Sequence, residues 1–215
     1  MKPIVCLPTR NEIESIDFMI DKIKGLGLEL FISDSNSTDG TQEAARNKGI
    51  EVYNRKGEGK GYGIREALEI AHEKNCDVLV LIDCDSTYPV EAIPVLLNFF
   101  PEYDLVVGAR KMDAISLGRR LANLFFTTMI NVLFGASLSD VNSGLRLLKV
   151  EKFLDKLDAK GFDIESQIVC RALKDKQKIK EITINYNDRT GTSKVRFMDS
   201  FVVGEMILKE RFFRR

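Results

Sequence analysis

Apolar positions along the chain alternate between two spacings. Short runs at Pro3–Pro8 (PIVCLP), Leu28–Ser33 (LELFIS), Glu51–Tyr53, Asp77–Ile82 (DVLVLI) and Asp104–Arg110 (DLVVGAR) predict strands. Between them the period lengthens. Ile13, Ile16, Ile20 and Ile23 recur at helical spacing before Gly25 and Gly27. A second helix is predicted from about Gln42 to Gly49, a third carries Ile64, Ala67, Leu68 and Ala71 on one face, and a fourth runs from about Val90 to Phe100. DVLVLI is almost wholly apolar, as a central strand covered on both faces must be. Strands alternating with helices imply parallel pairing and an α/β, doubly wound sheet with helices on both faces. Beyond residue 116 the rhythm changes. Leu117–Phe134 reads as one long helix, SDVNSGLRLLK as a turn entering a strand, Asp163–Lys174 as a helix, Ile179–Tyr186 as an alternating strand and Phe197–Arg215 as a terminal helix. With no internal repeat and no linker, residues 1–215 are expected to form a single domain.

Composition narrows the chemistry. Lys and Arg together number 32 and Asp and Glu 32, so the formal charge is zero, which argues against a nucleic-acid binder. The four cysteines (Cys6, Cys76, Cys84, Cys170) are scattered with no CxxC pair, as expected of free thiols in a reducing cytoplasm. MKPIVCLPTRNE turns polar too early for a secretory signal, and the most apolar stretch, Leu121–Leu138, is interrupted by Asn123, Thr127, Thr128 and Asn131. A single histidine, His72, sits in a helical pattern and is expected on its surface. Mechanisms built on a histidine base are therefore disfavoured, which leaves carboxylates, cations or a metal.

Four polar segments follow predicted strands. Asp83-Cys84-Asp85 stands directly after DVLVLI, at the strand end where open α/β sheets bind ligands. Residues i and i+2 of an extended chain point the same way, so Asp83 and Asp85 can converge on a divalent cation. Hard oxygen ligands favour Mg2+ or Mn2+; the alternative is an ordinary helix-start signal. DSNSTDGT, from Asp34, offers a hydrogen-bond acceptor for a base or ribose, or a turn. GEGKGYG, Gly57–Gly63, lets backbone approach a ligand beside Lys60, but is neither a Walker A loop nor a dinucleotide fingerprint. NDRTGTSK offers Arg189, Ser193 and Lys194 as phosphate donors, or a polar turn.

Taken in order, LPTRNE, DSNSTDGT, GKGYG, DCDSTYP, DVNSGLR and NDRTGTSK resemble glycosyltransferase family 2 with its GT-A fold, and within it the polyprenyl-phosphate sugar synthases of the dolichyl-phosphate mannose synthase type. The resemblance runs through essentially the whole chain. It implies that Pro8, Arg10 and Glu12 line the nucleotide base and ribose, with Arg10 where relatives carry a tyrosine. It implies that Asp34, with Ile32 beside it, contacts the base, and that Lys60, Asp83, Cys84, Arg110, Arg189 and Lys194 hold the rest of the donor. Asp85 would be the main metal ligand, Asp83 the second, and Thr87 stands where relatives have a glutamine. Arg110, Arg119, Arg120, Asn123 and Ser193 would meet the acceptor phosphate.

The implied reaction is metal-dependent, inverting transfer of a hexose from a UDP- or GDP-sugar to a polyprenyl (dolichyl) phosphate. Asp83 and Asp85 are its catalytic carboxylates, with Mg2+ or Mn2+ as cofactor. A phosphate nucleophile needs no base; a hydroxyl acceptor, such as a phosphorylated glycerate or a sugar, would need one, and Asp140 is the candidate. A sugar nucleotidyltransferase is the alternative from another class, disfavoured because PTRNE replaces a glycine-rich loop after the first strand. Leu117–Phe134 and the terminal RFFRR suggest peripheral attachment to an anionic membrane on its cytoplasmic face, or a homodimer surface.

Overall fold

The computed structural model describes residues 1–57, 59–187 and 199–213. Among these residues seven strands form one sheet: β1 (Pro3–Thr9), β2 (Leu30–Asp34), β3 (Val52–Asn54), β4 (Val78–Leu81), β5 (Leu105–Arg110), β6 (Arg146–Lys149) and β7 (Ile179–Ile184). Their spatial order is β3-β2-β1-β4-β6-β5-β7. Four pairs, β1–β2, β1–β4, β2–β3 and β5–β7, are parallel. β6 runs antiparallel to both of its neighbours, β4 and β5. This mixed sheet flanked by helices is the Rossmann-like GT-A arrangement expected from the sequence, with β6 as the departure from all-parallel winding.

Among the described residues eight α-helices flank it: α1 (Ile13–Gly25), α2 (Thr41–Asn47), α3 (Lys60–Glu73), α4 (Ala92–Leu97), α5 (Leu117–Phe134), α6 (Val150–Phe153), α7 (Ile164–Lys174) and α8 (Asp199–Phe212). The period of two in the strands divides the core. Val5, Leu7, Val78, Val80 and Leu147 join a cluster under α1 and α4, while Ile4, Cys6, Leu79, Leu81 and Leu148 join another with α3, α5, α7 and α8. Each face is thus dry, which is why Val78–Leu81 carries no polar position.

α5 begins and ends where the apolar pattern predicts, and Gly135 closes it in a left-handed conformation (φ +67°). It is apolar on two sides. Phe126, Thr127 and Ile130 face the core with Asn123, while Leu117, Leu121, Leu124, Phe125 and Val132 form an outward row, each 58–76% exposed. α8 packs beside α5 and adds exposed Phe201, Leu208 and Phe212. No helix among the described residues is long and apolar enough to cross a membrane. His72 is exposed, as expected, and all four cysteines are buried and free. Burial pushes the Cys6 thiol up to about 12 and raises Cys84 as well.

Candidate active site

The chemistry gathers at the carboxyl end of β4. Alternation continues past the strand: Cys84 packs into the α1 side of the core, and Asp83 turns to the other face, toward α3 and α7. Ser86 follows in a left-handed conformation (φ +61°), a conformation non-glycine residues adopt at a cost and that bends the chain off the sheet at once. Asp85 is buried, and its Oδ1 accepts hydrogen bonds from the Thr87 hydroxyl at 2.6 Å and the Thr87 N–H at 3.2 Å. Thr87 is itself fully enclosed and orients the Asp85 carboxylate rather than facing the cleft. Gly144 is required here, because a Cβ would collide with Asp83 Oδ2; its N–H donates to the Tyr88 hydroxyl at 2.6 Å.

Lys60, at the first position of α3, reaches into this corner. Its ammonium lies 2.6 Å from Asp83 Oδ1 and 2.5 Å from Glu165 Oε1. Burial would pull its pKa down, but the two carboxylates outweigh burial and hold it above the ordinary lysine value. Glu165, in the first turn of α7, keeps Oε2 buried with no hydrogen-bond partner among the described residues. Beneath it Arg146 is fully buried and donates to the carbonyls of Val141, Ser143 and Glu165. A chain of amides leads from there to α5: the Ser166 hydroxyl donates to Asn142, and Asn142 donates to Asn123 Oδ1 at 3.2 Å.

Arg110, ending β5, forms a two-point pair with Asp140: Nε–Oδ2 2.7 Å and Nη2–Oδ1 2.8 Å. The Arg110 N–H also donates to Oδ2, and Asp140 is fully buried. Burial would lower the Arg110 pKa, but Tyr88 and Asp140 raise it further. The guanidinium lies 5.5 Å from the Tyr186 ring centroid, and Asn187 N–H donates to Thr87 O, so β7 ends within the site.

On the β1–β2 side, Pro8 and Glu12 are half-buried and Arg10 exposed, all at the mouth. Asp34 is fully buried and accepts four hydrogen bonds, from the Thr9 and Ser37 hydroxyls, the Ser37 N–H and the Gln42 amide. In this state it locks the protein's own loop and reaches a base only by giving those bonds up. Ile32 and Cys84 are enclosed in the core and can offer a ligand only backbone. Arg119 and Arg120 are exposed at the start of α5. Arg189, Ser193 and Lys194 lie outside the described residues.

The sequence reading missed three contributors. Glu165 looked like an ordinary acid in a first helical turn. Arg146 looked like one more polar residue at a strand start. Arg55 sat in a solvated-looking loop, yet its guanidinium ties Thr9 O and Ser33 O at the ends of β1 and β2 to Gly59 O.

The fold and site define a GT-A type group transferase, and the comparisons agree. Residues 4–154 match the family model Glycosyl transferase family 2. The chain belongs to that family and is a glycosyltransferase. It is similar to "Dolichyl-phosphate hexose transferase" of Haloferax volcanii, 30% identical over 95% of this chain and 92% of that one. It is similar to "Glycosyltransferase AglJ" of the same organism, 32% identical over 79% of this chain, though the match spans only 58% of AglJ. "Undecaprenyl-phosphate mannosyltransferase" of Micrococcus luteus is 27% identical over 97% of this chain and 92% of its own length. Among solved structures, glucosyl-3-phosphoglycerate synthase of Mycobacterium tuberculosis with Mn2+, UDP and glucosyl-3-phosphoglycerate superposes with a TM-score of 0.82 at 22% identity, covering 100% of this chain and 81% of that one.

Proposed function

We propose that the chain transfers a hexose from a nucleoside diphosphate sugar to a polyprenyl phosphate at a membrane surface. The observation that carries the acceptor reading is the two-faced helix α5. Its inner face holds Asn123 against Asn142 beside the site, and its outer face exposes a row of apolar side chains. A row like that suits the headgroup boundary where a lipid phosphate resides, with Arg119 and Arg120 at its start and α8 extending the patch. Two relatives matched over nearly their whole length bear polyprenyl-phosphate names.

The bond between the anomeric carbon and the donor diphosphate breaks, and one forms from that carbon to an acceptor phosphate oxygen. A single displacement inverts the centre. The nucleophile is already an anion, so no base is required. Charge grows on the departing diphosphate, and the site answers it with Lys60 and Arg110, each held charged by a buried carboxylate, Glu165 and Asp140. Asp140 serves to aim Arg110, since its oxygens are occupied. Pro8, Arg10 and Glu12 flank the nucleotide.

Asp85 and Asp83 suit Mg2+ or Mn2+. They offer hard oxygens two residues apart, and the described residues hold no cluster of three or more such ligands, so donor phosphates would complete the shell. When bound, the ion supplies Lewis-acid stabilisation of the leaving group.

A second reading has one observation behind it. The fold neighbour named above was solved with a glycosylated phosphoglycerate, and Glu165, which shares Lys60 with Asp83, keeps one buried carboxylate oxygen with no hydrogen-bond partner among the described residues. In transfer to a small hydroxyl acceptor, Glu165 would accept the proton. Transfer of radiolabelled sugar from UDP- and GDP-sugars decides between the two. Organic-soluble product with a polyprenyl phosphate supports the first, and aqueous product with phosphoglycerate supports the second. Failure across all common donors and lipid phosphates sinks the leading reading. Co-sedimentation with anionic liposomes tests the surface: binding at low salt should weaken in Leu121→Glu/Phe125→Glu, and absent binding by the unaltered chain removes the membrane assignment.

A further inference from the structure

Glu210 on α8 is a fully buried carboxylate remote from Asp83 and Asp85 in the chain. A buried charge persists only where it is paired and hydrogen-bonded. Glu210 Oε2 lies 3.0 Å from Arg171 Nε, and its Oε1 accepts from Gln167 Nε2 at 2.7 Å. Gln167, on α7 and also fully buried, uses its amide at both ends. Its Oε1 accepts the N–H groups of Asp158 (3.0 Å) and Ala159 (2.8 Å), while Nε2 donates to Asp158 Oδ1 (2.6 Å) and to Glu210. Two carboxylate oxygens on one side and two N–H groups on the other admit one orientation of the amide.

The segment held this way is the support of the glycine loop. Gly61 N–H donates to Lys160 O at 3.0 Å. A Cβ at Gly59 or Gly61 would collide with the carbonyl oxygens of Lys160 and Ala159, and Gly59 has a φ of +105°. Lys60 stands between those two glycines, so its backbone is set by residues 159 and 160, and its ammonium spans Asp83 and Glu165.

We infer that Glu210, acting through Gln167, is a positioning residue for Lys60. It fixes the amide, the amide fixes residues 158–160, and these fix the glycine loop that aims the lysine. The inference rests on the proposed role of Lys60 at the donor. A role limited to fastening α8 onto α7 would change stability and leave substrate affinity alone, so donor KM separates the two.

The experiment uses the full chain with Gln167→Met, Glu210→Met, Glu210→Gln and Lys60→Met, with donor KM, acceptor KM, kcat and Tm measured for each. Gln167→Met keeps the length and removes every side-chain hydrogen bond. It should raise donor KM about tenfold with acceptor KM unchanged, the scale of outer-shell losses. Glu210→Met should do the same. Glu210→Gln still offers Oε1 to Gln167, so it should restore donor KM to within about twofold even though Tm falls with the lost Arg171 pair. Unchanged donor KM in folded Gln167→Met, alongside a large rise in Lys60→Met, overturns the inference alone. Unchanged donor KM in Lys60→Met overturns the reading of the site and the inference with it. Should Gln167→Met not fold, the Glu210 pair decides: equal donor KM in Glu210→Met and Glu210→Gln overturns it.

Discussion

Two buried ion-pair regions lie at the mouth of the sheet and differ in how completely they are closed. Around Asp140, both carboxylate oxygens are taken. Asp140 receives three hydrogen bonds from Arg110, its own N–H donates to Glu181 Oε1, and Glu181 Oε2 takes the N–H and hydroxyl of Ser139. Around Lys60, one ammonium serves two carboxylates, and Glu165 Oε2 has no hydrogen-bond partner among the described residues. The residue types are nearly the same in both. A carboxylate closed in this way has nothing left to offer a substrate and serves to aim its arginine. An open cluster keeps capacity for new bonds, and that is where substrate chemistry is expected.

Breaking the open cluster should have the largest effect. Asp85→Asn and Lys60→Met are each expected to lower transfer about a hundred- to a thousandfold, with Asp85→Asn leaving Tm nearly unchanged. Steady-state transfer and a thermal melt check both, and retained turnover in Asp85→Asn with no response to chelator would remove the metal assignment. Breaking the closed pair should act mainly on stability. Asp140→Asn leaves Arg110 buried without its charge partner, which is expected to cost about 3–5 kcal/mol in urea unfolding while turnover of the folded enzyme falls about tenfold or less. A collapse of turnover at full stability would instead make Asp140 the base and erase the contrast. Gly144→Ala sits between the two regions: it drives a methyl group into Asp83, and about tenfold lower kcat with little change in donor KM is expected.

The pH dependence is the smallest effect near neutral pH and grows only above pH 9. Cys6 is raised from 9.0 to about 12 by burial, so the unfolded chain loses this proton first. The stability from the buried neutral thiol is complete below pH 9 and declines as pH rises toward 12, by at most about 1.4 kcal/mol per pH unit. Urea midpoints of Cys6→Ala and the unaltered chain, followed upward from pH 8, should draw together. A constant gap would mean the thiol ionises normally in the fold.

Much of the architecture was legible because it depends on local pattern. The ends of α5, the rhythm of β1 to β5 and the DCD at the end of β4 are written in period and turn chemistry. The direction of β6 was not, since Arg146–Lys149 reads as a strand whichever neighbour it meets, and pairing across the sheet is decided far along the chain. Site membership followed the same division. Asp83 and Asp85 announce themselves by standing after an apolar strand. Glu165 enters only because α7 packs beside α3, and Asp140 and Asp34 turn from candidate contacts into locks because their partners, Arg110, Ser37 and Gln42, come to them in space.

The placement of β6 also governs the order in which the molecule can be assembled. β4 and β5 follow each other in sequence but are never neighbours; the slot between them is filled by residues 146–149. As the chain emerges from a ribosome, it therefore carries one edge of β4 and both edges of β5 unpaired from about residue 110 until β6 and then β7 arrive. Closure requires a contact of long sequence separation, which slows folding and prolongs exposure to self-association. The amino-terminal portion, although it holds five of the seven strands and the DCD sequence, is accordingly not an independent module. Nascent chains stalled before Lys149 should be held by chaperones and cut by protease, and resistance should appear once β6, β7 and α8 have all been released.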